Sequence, residues 1–180
     1  MAIEIEKKYR LTAAQQEEVL ERLSEIEASF QGEDFEENIL YRGGVLDEKN
    51  AVLRIRKIDD KAILTYKLRI QNQSDIKHQI EHETPVDDPD EIEKIVENLG
   101  FKKKLIYEKR RKTWLFREVE IVVDELPFGL FMEIEGSITA IAEAEMFLDI
   151  EDLTVEHRTY PNLTIEFGVQ NGDLIEARFA

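Results

Sequence analysis

The sequence predicts an α+β fold: an antiparallel sheet with helices against one face and charge on the other. Three observations predict it. Short runs alternate apolar and charged residues at period two. Longer runs between them place apolar residues at helical spacing behind good capping residues. Like-charged doublets at i and i+2 recur on the charged side of run after run, from "IEIEKKYRL" to "FMEIEG".

Each element follows from its residues. In "IEIEKKYRL" (3–11), Glu4, Glu6, Lys8 and Arg10 share one face, and Ile5, Tyr9 and Leu11 the other, with Lys7 the exception. Thr12 then caps a helix to Ile26, in which Val19, Leu20, Leu23 and Ile26 make an apolar stripe. "QGEDFEEN" (31–38) and "GGVLDEKN" (43–50) read as loops. Arg54 and Arg56 share a face in "VLRIRK", as do Lys67 and Arg69 in "ILTYKLRI". In "IKHQIEHET", Lys77, Gln79, Glu81 and Glu83 oppose Ile76, His78, Ile80 and His82. "DPDEIEKIVENLGF" (88–101) predicts a helix with Pro89 near its start and Gly100 just past its end. Lys109 and Arg111 fall together in "YEKRRKTW", Glu120 and Asp124 in "VEIVVDEL", and Glu133 and Glu135 in "FMEIEG". A further helix covers "ITAIAEAEMFLD" (138–149), capped by Ser137 or Thr139, and the pattern assigns no element beyond it.

Composition sets the class. The 180 residues are read as one domain, 42% hydrophobic and 36% charged, enough to bury a core under a heavily charged surface. The absence of cysteine excludes disulfides, thiolate metal sites and thiol nucleophiles. No apolar run approaches the roughly 20 residues of a membrane span, and no signal-peptide core opens the chain. The expectation is a soluble, cytoplasmic protein without membrane or nucleic-acid partners. A net charge of −16 argues the same against nucleic acid.

The charged face carries the functional argument. A solvated sheet face is the plainer reading of any one strand. Like-charged doublets repel, however, and stability alone gives no reason to repeat them. Summed over the strands, this face holds eight acids and nine bases, so the rest of the chain carries −17, all of the net negative charge. A closed barrel would put the balanced face inside, where crowded charge is costly unless a ligand completes it. Arg and Lys pairs take phosphate oxygens, and carboxylate clusters take hard cations such as Mg²⁺ or Mn²⁺. Both sets on one face imply a polyphosphate bound together with metal.

The motifs also carry a resemblance. "EIEK" followed by Lys8 is similar to the Glu-x-Glu-x-Lys signature of the CYTH superfamily, the triphosphate tunnel metalloenzymes of the class IV adenylyl cyclase and thiamine triphosphatase type. "LRIR", "LTYK", "IEHE", "KRR", "VVDELPFGLFMEIE" and "HRTYPNL" then follow in family order, so that the resemblance runs from Ile3 to about Leu163. It implies an eight-stranded antiparallel β-barrel, a triphosphate tunnel with a charged interior and flanking helices. It further implies Mg²⁺- or Mn²⁺-dependent chemistry on inorganic triphosphate, ATP or thiamine triphosphate.

Carried onto this chain, the resemblance makes Glu4, Glu6, Glu133 and Glu135 metal carboxylates, with Asp124 beside them. Glu81 and Glu83 become supporting ligands or water positioners, acting with Lys8 and Lys67 in catalysis. Lys8, Arg10, Arg54, Arg56, Lys67, Arg69, Lys109 and Arg111 form the phosphate cradle, with Arg158 beside "TYPNL" reaching the same anion. Gln79 stands where similar chains often have Arg, which bears on substrate preference.

Other features have plainer readings. His78 and His82 fall on the apolar face and pack there, and His157 is a loop residue. Trp114 points outward to pack a helix. Lys102–Lys104 is a tunnel rim or a solvated run. Three functions remain: a triphosphatase, an adenylyl cyclase and a non-enzymatic polyphosphate- or nucleotide-binding module. The full set of acids argues against mere anion binding. Hydrolysis is favoured because no base-recognition cluster stands out in 43–50 or 71–74. A homodimer is common in the resembled family, and no residue here decides it.

Overall fold

The computed structural model describes residues 3–70 and 77–180, and the side chains of 5–68 and 80–180. The strands are β1 (Ile3–Leu11), β2 (Ser29–Arg42), β3 (Ala51–Ile58), β4 (Lys61–Ile70), β5 (Lys77–Val86), β6 (Lys102–Phe116), β7 (Val119–Leu126), β8 (Gly129–Glu135), β9 (Val169–Asn171) and β10 (Leu174–Ala177). The helices are α1 (Ala13–Glu25), α2 (Val45–Glu48), α3 (Pro89–Asn98), α4 (Ile138–Leu148) and α5 (Tyr160–Phe167).

The strands form one sheet in the order β2-β3-β4-β5-β1-β8-β7-β6-β10-β9, and β2 also pairs with β6. All pairings are antiparallel except β10 on β6. The expected strands are all present. The structure adds β2, β9 and β10, and the short helices α2 and α5.

The segment 31–38, read as a loop, lies inside β2. The reason is tertiary: in register, Asp34 faces Arg111 and Glu36 faces Lys109 on β6, while Asn38 faces Arg56 on β3. Opposite charges across strands make strand structure favourable where the local composition alone does not. The segment 43–50 likewise carries one helical turn, α2, anchored by buried Leu46.

The three expected helices start where their caps predict. The Thr12 hydroxyl accepts from the Gln15 amide while the Gln15 side chain accepts from the Thr12 amide, a capping box. The Asp88 carboxylate accepts from the amides of Asp90 and Glu91, and Ser137 caps α4. Each such cap contributes about 1 kcal/mol.

Helices α1 and α4 cover the apolar face of the sheet. Val19, Leu23, Ile141, Ala144 and Leu148 pack with Tyr9, Trp114, Ile121, Met132 and Ile134. Lys7, the exception to the β1 alternation, reaches outward to Glu145 of α4, which also accepts from the Tyr9 hydroxyl. Helix α3 packs Val96 against Ile39, Ile55 and Ile106, and its Glu93 holds Lys57 and Lys103. Outward-facing His82 stacks on Tyr66. Helix α5 differs from the others. Its Tyr160 and Leu163 pack with Leu40, Leu105, Tyr107 and Phe131, whose side chains stand on the charged face.

Candidate active site

The charged side chains meet in a cavity of about 1040 Å³. Its wall includes Glu6, Lys8, Arg54, Arg56, Lys67, Glu81, Glu83, Lys109, Arg111, Glu133 and Glu135, all of which the sequence had singled out. Strand alternation points them to one side, and cross-strand pairing sets their neighbours.

The basic half centres on Asp124, which is fully buried. Arg111 donates to it in a fork, Nε to Oδ1 at 2.8 Å and Nη2 to Oδ2 at 2.6 Å. The Tyr160 hydroxyl donates to Oδ2 at 2.8 Å, and Lys109 Nζ stands 3.5 Å from the same oxygen. Arg111 also reaches Glu133 at 2.8 Å. Glu133 pairs at 3.1 Å with Lys8, whose ammonium lies 3.7 Å from the centre of the Tyr160 ring, a cation–π contact. Glu36 lies 3.3 Å from Lys109 and 3.5 Å from Arg56. Arg54 donates to Thr65 Oγ1 at 3.3 Å and stands 3.7 Å from Glu81, which also pairs with Lys67.

Burial and crowding perturb these groups. Burial, with Arg111 and Arg56 nearby, pushes the Lys109 ammonium down to about 8. Burial opposes ionisation of Glu36, yet Lys109, Arg56 and Arg111 outweigh it and hold its carboxyl far below the usual range. Burial also opposes the charge of Arg111, which Asp124 and Glu133 more than restore. Among the described residues, buried Arg54 Nε, Arg56 Nε and Asn38 Oδ1 have no hydrogen-bond partner. Unspent guanidinium donors in a buried site suit phosphate oxygens.

The acidic half is a row across three strands. Glu6 of β1 faces Glu135 of β8, which faces Glu120 of β7. Burial, followed by Glu120 and Glu6, pushes the Glu135 carboxyl up to about 7. A carboxyl so crowded by acids suits a cation. Among the described residues no three acids converge into a ready-made ion cage. The donor set still fits Mg²⁺ or Mn²⁺, because Mg²⁺ is commonly held by one or two carboxylates together with substrate phosphates and water.

Some expected residues stand elsewhere. Arg158 is clasped by Glu156, with Nε at 2.8 Å and Nη2 at 2.6 Å, and by Glu166. It meets the cradle through its carbonyl, which accepts from Lys8 at 3.3 Å. Arg10 lies 3.7 Å from Glu156 and donates to the Phe128 carbonyl, away from the cavity wall. The side chains of Glu4, Arg69, Lys77, His78 and Gln79, and all of 71–74, lie outside the described residues.

Three participants were missed. Glu36 was hidden in a segment read as loop, although its alternation with Asp34 and Asn38 was visible. Glu120 was counted on the charged face but not among the metal carboxylates. Tyr160 carried no signal beyond its place in "TYPNL".

The CYTH domain family matches residues 2–160. The chain belongs to the CYTH family. This CYTH chain is 30% identical over 151 residues to a Methanocaldococcus jannaschii protein that bears a provisional adenylate cyclase name, covering 82% of this chain and 84% of that one. A solved Pyrococcus horikoshii structure is similar with a TM-score of 0.76 at 25% identity, over 89% of this chain and 98% of the other. A Hippeastrum protein, described as an adenylyl cyclase candidate with dominant triphosphatase activity, shares the fold. Its TM-score is 0.67 at 20% identity, over 88% of this chain and 91% of its own. Among the described residues no helix is long and apolar enough to cross a membrane.

Proposed function

We propose that this CYTH chain is a divalent-metal-dependent triphosphatase, with β1–β8 as the wall of a tunnel that takes a triphosphate-bearing substrate. Pairing of β2 with both β3 and β6 supports the tunnel. The observation that carries the activity is the sharing of one cavity by two sets of groups. These are the acids Glu6, Glu120 and Glu135, and the cations Arg54, Arg56, Lys109 and Arg111.

In this reading the four cations bind the phosphate oxygens, with Lys8, Lys67 and Arg69 extending the cradle. Glu4, Glu6, Glu133 and Glu135 would hold Mg²⁺ or Mn²⁺, with Glu120 beside them. A bound ion would screen the phosphate charge and lower the pKa of the attacking water. Asp124 and Glu36 hold Arg111 and Lys109 in place, so the cradle is preorganised before substrate arrives. Glu81 and Glu83 orient Lys67, Arg54 and a water.

The Methanocaldococcus relative's name supports a second reading, in which the ribose 3′-hydroxyl of ATP replaces water and attacks the α-phosphorus. Phosphorus NMR separates the two. Purified protein with Mg²⁺ or Mn²⁺ is given inorganic triphosphate, ATP or thiamine triphosphate. Orthophosphate released from the terminal position is the expected result. Cyclic AMP and pyrophosphate as the main products from ATP would establish the cyclase instead.

A further inference from the structure

On one face of β2, Asp34, Glu36 and Asn38 follow one another at period two. In register, Asp34 faces Arg111 and Glu36 faces Lys109 on β6, whereas Asn38 lies between Tyr107 of β6 and Arg56 of β3. An acid thus stands across from each of two cations, and an amide beside the third. Arg56 is short of negative charge. Glu36 stands 3.5 Å from it, and its Nε has no hydrogen-bond partner. Burial and Arg54 push its guanidinium below the ordinary range despite Glu36. A carboxylate at position 38 would supply the missing charge across the strands, so stability alone favours aspartate there.

Asn38 is fully buried and is not among the residues that line the cavity. Its Nδ2 donates to Glu36 Oε2 at 3.1 Å, the oxygen that also faces Lys109 at 3.3 Å. Burial opposes ionisation of Glu36, and Lys109, Arg56, Arg111 and the Asn38 amide outweigh it in that order. The Asn38 Oδ1 has no partner at all. A buried acceptor left unpaired is destabilising, which is a second departure from what folding alone would select. Both departures have one effect: Glu36 is held, and no further acid competes for the Arg56 donors. A carboxylate at 38 would take those donors in charge-assisted hydrogen bonds and withhold them from phosphate.

Resting on the triphosphatase reading, we propose that Asn38 is a positioning residue of the phosphate cradle. Its amide fixes Glu36 beside Lys109 and Arg56, and its lack of charge keeps the Arg56 guanidinium available to a phosphate oxygen.

The test compares wild type, Asn38→Asp and Asn38→Leu in steady-state cleavage of inorganic triphosphate with Mg²⁺ or Mn²⁺, beside melting curves without substrate. Asn38→Asp should melt no lower than wild type. It should nevertheless raise KM about tenfold or more, the scale of one charge-assisted hydrogen bond, while kcat falls much less. Asn38→Leu loses the hold on Glu36 but adds no charge, so its KM should rise less than that of Asn38→Asp. An Asn38→Asp variant that fails to fold, keeps the wild-type KM or loses as much in kcat as in KM overturns the proposal. Equal KM values in the two variants do so as well, because they would mark a packing role. If wild type cleaves no triphosphate with either metal, the triphosphatase reading falls, and calorimetric Kd values for triphosphate decide Asn38 on the same criteria. A wild type that neither cleaves nor binds triphosphate overturns both.

Discussion

Asp124→Asn should destabilise the protein strongly without substrate and much less with it. The Asp124 carboxylate is fully buried and accepts from Arg111 twice and from Tyr160 once, with Lys109 at 3.5 Å. The amide keeps the shape but removes the charge, leaving Arg111 and Lys109 to repel each other in a buried site. Breaking a buried pair in this way costs about 3–5 kcal/mol. For a chain of this size, 1 kcal/mol moves Tm by roughly 2–4 °C, so the fall should be at least about 6 °C. Triphosphate bears the charge that the variant lacks, so saturating triphosphate with Mg²⁺ should recover more Tm in Asp124→Asn than in wild type. Tyr160→Phe is the control, since it removes one hydrogen bond and should cost only about 1–3 kcal/mol, with the cation–π contact to Lys8 kept. Differential scanning fluorimetry reads all of this. An Asp124→Asn variant that loses under about 2 °C, or gains no more from triphosphate than wild type, would refute Asp124 as the organiser of the cations.

Other outcomes follow from the same geometry. Glu133→Gln and Glu135→Gln should each lower kcat by on the order of 10²-fold with folding intact; near-normal turnover in both would remove them from the metal set. Triphosphate with metal at about 100 times Kd should stabilise wild type by roughly 2.7 kcal/mol, and Arg54→Ala or Arg56→Ala should shrink that shift. If no triphosphate shifts melting at millimolar metal, the cavity is not a triphosphate site. The Arg158 hydrogen bonds hold the Glu156 carboxyl at about 2, below its ordinary 4.5. Its contribution to stability is therefore full above about 4.5 and is lost as pH falls toward 2. Denaturant midpoints of wild type and Glu156→Gln should converge over that window, and a constant gap would contradict the assignment.

Period-two alternation in the sequence alone gives β1, β3–β8 and puts their charges on one face, because side-chain direction in a strand is local. The same holds for α1, α3 and α4, whose caps and stripes are short-range features. Order of motifs was enough to point to the CYTH family. Glu36 shows where local reading stops. Its segment looks like a loop until Lys109 and Arg56, far away in sequence, neutralise its acids across β2. Arg158 shows the converse, since a cation next to a recognised motif is claimed by Glu156 two residues away. The row of Glu6, Glu120 and Glu135 depends on the register of β1, β7 and β8, and alternation gives each strand's face but not its register. The packing of α5 and β10 against the charged face required the tertiary structure. Local patterns dictate which way a side chain points, but only chain closure over long separations dictates what it meets.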